Sequence, residues 1–155
     1  MRSYAAGTNV SVDRSKAELE KLLQKHGASK FISGWDESSI VIGFVMGGRQ
    51  VKVQIPIPSK HDDEIWKTPS GRYIRSEEEV ARKWQGALRQ RWRALVLVVK
   101  AKLEAVAAGV ATFETEFLGH LVLPSGQTVA EVVVPRLNEL DRFAALPSGS
   151  ERETR

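Results

Sequence analysis

From Ser76 to Gly109 nothing in this sequence stops a helix. Ser76 and Glu79 form a capping box, in which a hydroxyl and a carboxylate satisfy N–H groups that the first turn leaves free. Glu77 and Glu78 add negative charge at the positive end of the helix dipole. No proline intervenes, Gly86 is a tolerable interruption, and Gly109 is the first plausible stop. At about 1.5 Å per residue the helix is ~50 Å long, and any fold of this chain is assembled around it.

The middle of that helix is basic and apolar at once. Positions 82 to 102 carry seven basic residues (Arg82, Lys83, Arg89, Arg91, Arg93, Lys100 and Lys102) and no acidic one. They contribute +7 against +4 for the whole chain, which leaves −3 elsewhere. At 100° per residue, Arg82, Arg89, Arg93 and Lys100 fall within roughly 40° of one another and form a stripe. Trp84, Leu88, Trp92, Leu95, Val99 and Val106 lie on a second face suited to a core. Arg91 and Lys102 sit near the edge of the apolar face, where they can snorkel or pair with a carboxylate from another element. Arginine forks match phosphate oxygens bidentately, so the stripe reads as a phosphate track. The plain alternative is a solvated or salt-bridged helix face.

The rest of the chain supplies a small sheet and short helices. Residues 1–12 read as a flexible lead-in. Ser15 with Glu18 is a second capping box, opening a short amphipathic helix through Ala17, Leu19, Leu22 and Leu23 that Gly27 ends. Residues 31–35 form a first strand. Residues 40–46, apolar on both faces, form a second. Gly47–Gly48 is a hairpin turn. Residues 49–57 alternate, with Val51, Val53, Ile55 and Ile57 inward and Gln50, Lys52 and Gln54 outward. Pro56 and Pro58 mark the end of a strand on a sheet edge. Residues 58–75 are a long connection, acidic at first and basic in the TPSGR segment 68–72. Beyond Gly109, Thr112 starts a short helix to about Gly119. Thr128 with Glu131 opens another, which Pro135 must kink or restart, and Leu137, Leu140 and Phe143 continue its apolar face. Residues 147–155 read as a disordered polar tail.

A chain of 155 residues fits one domain with a sizeable core. The fold class is therefore α+β: a three-stranded antiparallel meander on one long helix, with an N-terminal helix and short C-terminal helices, all within residues 13–146. Zero cysteine excludes disulfides, thiolate catalysis and cysteine-ligated metal sites, and fits a reducing compartment. No apolar h-region opens the chain and no run spans a bilayer, so a cytoplasmic location follows as an expectation. A sequence pI near 9.5 favours acidic partners.

No reaction is legible. His26, His61 and His120 are scattered. His61, Asp62, Asp63 and Glu64 are adjacent in a polar loop, a poor arrangement for converging on one ion. Glu104, Glu114 and Glu116 are the carboxylates nearest the basic helix, but Glu114 and Glu116 do not share a helix face. Metal-assisted phosphodiester cleavage needs converging acids. Phosphate-binding loops, dinucleotide fingerprints and nucleophile elbows are all missing. The expectation is no catalytic residue, no metal and no cofactor, with a nuclease using Glu104, Glu114 or Glu116 as the weakest of three functional readings.

A set of local features carries a resemblance. They are GA–F–GWD at 27–36, GR–V at 48–51 with the IPIP ending, TPSGR at 68–72, RQRWRALVLVVKAKLEAVAAG at 89–109, TFE–EF at 112–117 and LPSGQTV at 123–129. Together they resemble a group of small uncharacterised proteins encoded by bacteriophages and prophages, over residues 10 to about 143. The resemblance implies viral origin and no mechanism. At the level of fold alone, helix, meander and long helix in that order are similar to the β-β-β-α core of phage single-strand annealing proteins.

The leading expectation is a phage-encoded, non-enzymatic nucleic-acid-binding protein acting in the host cytoplasm. Its sharper form acts on single-stranded DNA in replication or recombination. Arg82, Arg89, Arg93 and Lys100 would contact phosphates with help from Arg72, Arg75 and Lys52. Tyr73 and Trp66 would stack on bases. The other main expectation is a protein-interaction module, such as an inhibitor of a host defence complex or an assembly component. A half-apolar helix of this length could close a homo-oligomer as readily as a monomer core.

Overall fold

The computed structural model describes residues 7–137, and the expectations for residues 1–6, Leu140, Phe143 and the 147–155 tail lie outside it. Helix α1 (Val12–Lys25) is followed by strands β1 (Lys30–Trp35), β2 (Ser39–Met46) and β3 (Arg49–Pro56). One turn of helix α2 (Asp63–Trp66) precedes the long helix α3 (Glu77–Ala107). Helix α4 (Phe113–Phe117) runs into a short 3-10 turn (Leu118–His120), and α5 spans Val129–Leu137. The three strands form one antiparallel sheet in the order β1-β2-β3, so the α+β class and the meander are as the sequence predicts.

The caps explain the helix boundaries. Ser76 Oγ accepts from the Glu79 N–H at 3.3 Å, and Glu79 accepts from the Ser76 N–H at 2.9 Å. That reciprocal box starts α3 where the sequence places it, and α3 then runs for 31 residues. It ends at Ala107, capped by Ala108, and Gly109 with a φ of 71° lets the Val110 N–H reach back to the Ala105 carbonyl at 3.0 Å. Helix α1 starts earlier than expected. Ser11, and not Ser15, is its cap and accepts from the Arg14 N–H at 3.2 Å. The extra turn brings Val12 against the core and turns Ser15 inward, where it is fully buried. The pair Thr128 and Glu131 does form its reciprocal box, with Thr128 N–H donating at 2.6 Å and Glu131 N–H at 3.2 Å. Pro135 stands inside α5, which continues to Leu137.

The sheet presents one apolar face to the helices. The β2–β3 register pairs Ile40 with Ile55, Ile42 with Val53 and Phe44 with Val51 across the Gly47–Gly48 turn. These side chains meet Trp92, Leu95, Val96, Val99 and Leu103 of α3, Leu19 and Leu23 of α1, and Phe117 of α4 in a single buried cluster. The aromatic contacts at its C-terminal end are specific. Phe117 meets Phe44 edge to face at 5.7 Å between centroids and lies 4.9 Å from Phe113. Trp84 and Leu88 pack at the margin, and the Trp84 indole N–H donates to the Pro58 carbonyl at 2.9 Å. No helix of the described residues is long and apolar enough to cross a membrane.

Phe117 holds the C-terminal segment onto the sheet, so Phe117→Ala should cost about 3–5 kcal/mol of stability. Chemical denaturation checks it. A loss below about 1 kcal/mol would mean that α4 is not part of the cooperative core.

Candidate nucleic-acid interface

Helix α3 has two opposite working faces. Its core arc runs through Trp84, Leu88, Trp92, Leu95, Val99 and Leu103. The arc through Lys83, Gly86, Ala87 and Gln90 lies roughly 180° away on a helical wheel. That second arc is the floor of a groove of about 1000 Å³. Arg82 and Arg89 stand along one side of the floor and Arg91 along the other. The facing wall is the segment 63–75, and Thr8, Asn9 and Pro58 complete the lining. Gly86 and Ala87 keep part of the floor low, so an extended anion can lie close to the helix while arginines at its sides reach over it.

The facing wall is more ordered than a long connection would be. Lys67 and Ile74 make an isolated antiparallel bridge, the Thr68 N–H donates to the Tyr73 carbonyl at 2.9 Å, and Gly71 takes a φ of 68° at the turn. The TPSGR motif is therefore the tip of a hairpin. Arg75 locks its base. One guanidinium nitrogen donates to the carbonyls of Glu64 at 3.1 Å and Ile65 at 2.9 Å, and to that of Lys67. Arg75 thus satisfies carbonyls at the end of α2 that have no helical partner, and its charge is largely spent on structure.

Other predicted contact residues divide in the same way. Arg93 donates to Glu18 of α1 at 2.6 Å with its side chain only 24% exposed, so it ties α1 to α3. Lys52 pairs with Glu131 at 3.3 Å on the far face of the sheet, away from the groove. Lys102 pairs with Glu116 at 3.2 Å, as its place near the apolar edge suggests. Trp66 is half-buried, donates to Asp63 at 3.1 Å and lies under Lys67, so it is not a free stacking surface. Hydrogen bonds to Asp63 from Lys67, at 2.8 Å, and then from Trp66 hold its carboxyl below the ordinary value. Tyr73, in contrast, is 70% exposed on the hairpin. Among the described residues, Arg72, Arg82, Lys83, Arg89, Arg91 and Lys100 make no ion pair. Lys100 lies 18 positions beyond Arg82, about 27 Å along the axis, and is not among the groove's lining residues.

Lys83 and Arg91 were legible as charges and not as site residues. The signal that places them is the neutral arc Gly86, Ala87 and Gln90, directly opposite the core. The carboxylates considered for metal chemistry are dispersed. Glu104 is 3.9 Å from His26, Glu114 is 3.7 Å from Arg49, and Glu116 holds Lys102. Among the described residues no three His, Asp or Glu side chains come together to hold a metal ion. The chain matches no family model, no curated protein and no solved structure, so the functional reading rests on the groove's geometry.

A second, smaller cavity of about 420 Å³ lies on the outer face of β3 between Gln54, His120, Thr128 and the Lys52–Glu131 pair. Burial, then the charge of Lys102, hold the His120 pKa below the ordinary histidine value, and contact with the Lys52 backbone opposes them.

Two expectations follow. Arg75→Met keeps the stem and removes the carbonyl clamp, so trypsin should cut at Arg72 well before the rest of the fold, with little change in Tm. Equal cleavage of variant and parent would mean that the clamp does not hold the hairpin. For His120 the unfolded chain takes up the proton first as pH falls. Its contribution to stability is intact above about 6.5 and is lost below it. His120→Gln should therefore flatten the fall in Tm between about pH 7.5 and 5.5. Parallel pH curves for variant and parent would remove this assignment.

Proposed function

We propose that this is a phage-encoded, non-enzymatic protein that binds nucleic acid along the α3 groove, with single-stranded DNA as the preferred form. The observation that carries the proposal is the set of four cations, Arg82, Lys83, Arg89 and Arg91, along one groove with no ion-pair partner among the described residues. Cations committed to the fold are paired with carboxylates, as Arg93, Lys52 and Lys102 are, or spent on carbonyls, as Arg75 is. Those along the groove are left for an outside anion. Asp63 and Glu64 also line the groove, but Asp63 is neutralised by Lys67. A single strand is favoured because Tyr73 and Arg72 stand exposed on the hairpin beside the groove. An unpaired base can stack on Tyr73 there, whereas a duplex keeps its bases stacked inside. Viral origin comes from the sequence resemblance.

Electrophoretic shift with short single- and double-stranded DNA tests this reading. Binding should weaken steeply with salt, by about 0.7 log units per phosphate contact for each log unit of salt on a single strand. Replacing Arg82 and Arg89 together by Ala should reduce that slope by about 1.4 and weaken binding at low salt. Arg93→Ala should lower Tm and leave the slope alone. Absence of binding at low salt, or a slope unchanged in the double variant, defeats the proposal.

A second reading has its own observation. Tyr73 and Ile74 are adjacent on the hairpin and about 70% exposed, at 70% and 69%, which also suits a protein partner such as a host defence complex. A host protein that co-purifies after nuclease treatment would favour it.

A further inference from the structure

We infer that β1 is a self-pairing edge, through which two copies of the chain join their sheets across a two-fold axis at Ser33. The argument begins with the ladder. The Asp36 N–H donates to the Ser39 carbonyl at 3.0 Å, and the register pairs Gly34 with Val41, Ile32 with Gly43 and Lys30 with Val45. In an antiparallel ladder alternate pairs exchange hydrogen bonds, so these even-numbered residues bond inward to β2. Phe31, Ser33 and Trp35 turn their N–H and C=O groups the other way. Among the described residues no other segment accepts from or donates to them.

The opposite edge of the sheet is closed. Leu121 bridges Val51, the Val122 N–H donates to the Gln50 carbonyl at 2.9 Å, and β3 ends on Pro56. β1 lacks such protection. From Phe31 to Trp35 it has no proline and no charge of its own, and Ile32 and Trp35 are 68% and 70% exposed, with Lys16 of α1 over the Trp35 ring at 4.6 Å. An unguarded apolar edge is a template for another strand.

The chemistry of β1 and the residue after it selects a second copy as that strand. Residues 30–36 read KFISGWD. A two-fold axis at Ser33 sets Ser33 against the partner's Ser33 and Phe31 against the partner's Trp35. It also sets Ile32 against the partner's Gly34 and Lys30 against the partner's Asp36. Every residue with outward backbone groups then meets another with outward groups, which gives about six inter-strand hydrogen bonds. Aromatic pairs fall on the inner face, a favourable cross-strand combination. The isoleucine meets a glycine, the arrangement it already has within the sheet. There Ile32 Cγ1 lies so close over Gly43 that a Cβ on the glycine would stand 3.0 Å away. Opposite charges close both ends, and the Asp36 carboxylate is exposed and held ionised by hydrogen bonds from Ser38 and Ser39. One sequence matched to itself in polarity, size and charge is the requirement of an isologous interface. Side chains of paired residues point to the same side of a sheet. Both copies of α3 therefore lie on one side of the joined six-stranded sheet, with their grooves facing away from it.

Light scattering or sedimentation equilibrium on the nuclease-treated full chain, over about 1–100 µM, tests the inference without reference to nucleic acid. The parent should show a mass rising to twice that of the chain. Ser33→Pro removes an outward N–H that makes no bond within the chain, a change edge strands tolerate. It should leave the circular dichroism spectrum intact and raise the dimer dissociation constant roughly tenfold or more. Lys30→Glu sets two carboxylates against each other and should weaken the dimer most at low salt, with recovery as salt rises. That variant decides the matter if Ser33→Pro fails to fold. A parent that stays monomeric at about 100 µM, or a folded Lys30→Glu that dimerises as the parent does at low salt, overturns the inference.

Discussion

Everything in this molecule hangs on the contact between one arc of α3 and one face of a three-stranded sheet. Trp92, Leu95, Val96, Val99 and Leu103 are each less than a tenth exposed and sit on Ile42, Phe44, Val51 and Val53. A sheet with one apolar face must bury it against another layer, and a helix of 31 residues gains most of its stability from packing an apolar face. Each therefore depends on the other. Helices α1 and α4 are added to that pair from either side. Leu19 and Leu23 come from one, Phe117 from the other, and ion pairs Glu18–Arg93 and Glu116–Lys102 fix both to α3.

That contact decides what the charges of α3 can do. A basic stripe drawn on a helical wheel treats all its members alike. In the folded chain, Arg93 falls where α1 packs and becomes an anchor, while Arg82 and Arg89 fall beside the open groove. Arg91 lies across the floor from them and still lines the same groove. Position along the helix, relative to the elements that cross it, separates structural cations from available ones. A partly exposed ion pair of this kind contributes modestly to stability, about 1 kcal/mol or less. Arg93 matters more as a positioning contact than as an energy term.

Local chemistry made most of the fold legible and little of the site. The Ser76 box, Gly109, the Gly47–Gly48 turn and the alternation in β3 all act within a few residues, so their effects can be read from a short window. The contacts that shape the groove span much longer separations. Glu18 and Arg93 are 75 residues apart, Trp84 and the Pro58 carbonyl 26 apart, and Arg75 and the Glu64 carbonyl 11 apart. No local pattern announces them. The start of α1 shows the same limit on a smaller scale. Ser15 and Glu18 satisfy the capping pattern, yet Ser11 holds the position, and the extra turn packs Val12 partly buried against the core, a contact that only the assembled fold can supply.

The groove floor faces directly away from the core, and this has an evolutionary consequence. Gly86, Ala87, Gln90 and the arginines beside them are not members of the buried cluster that holds the sheet to the helix. Distant sites that share no partner change stability independently. Selection can therefore alter the length, charge or spacing of side chains along this face while the fold stays above its stability threshold. A lineage carrying this scaffold can change the chemistry of that face faster than it changes shape.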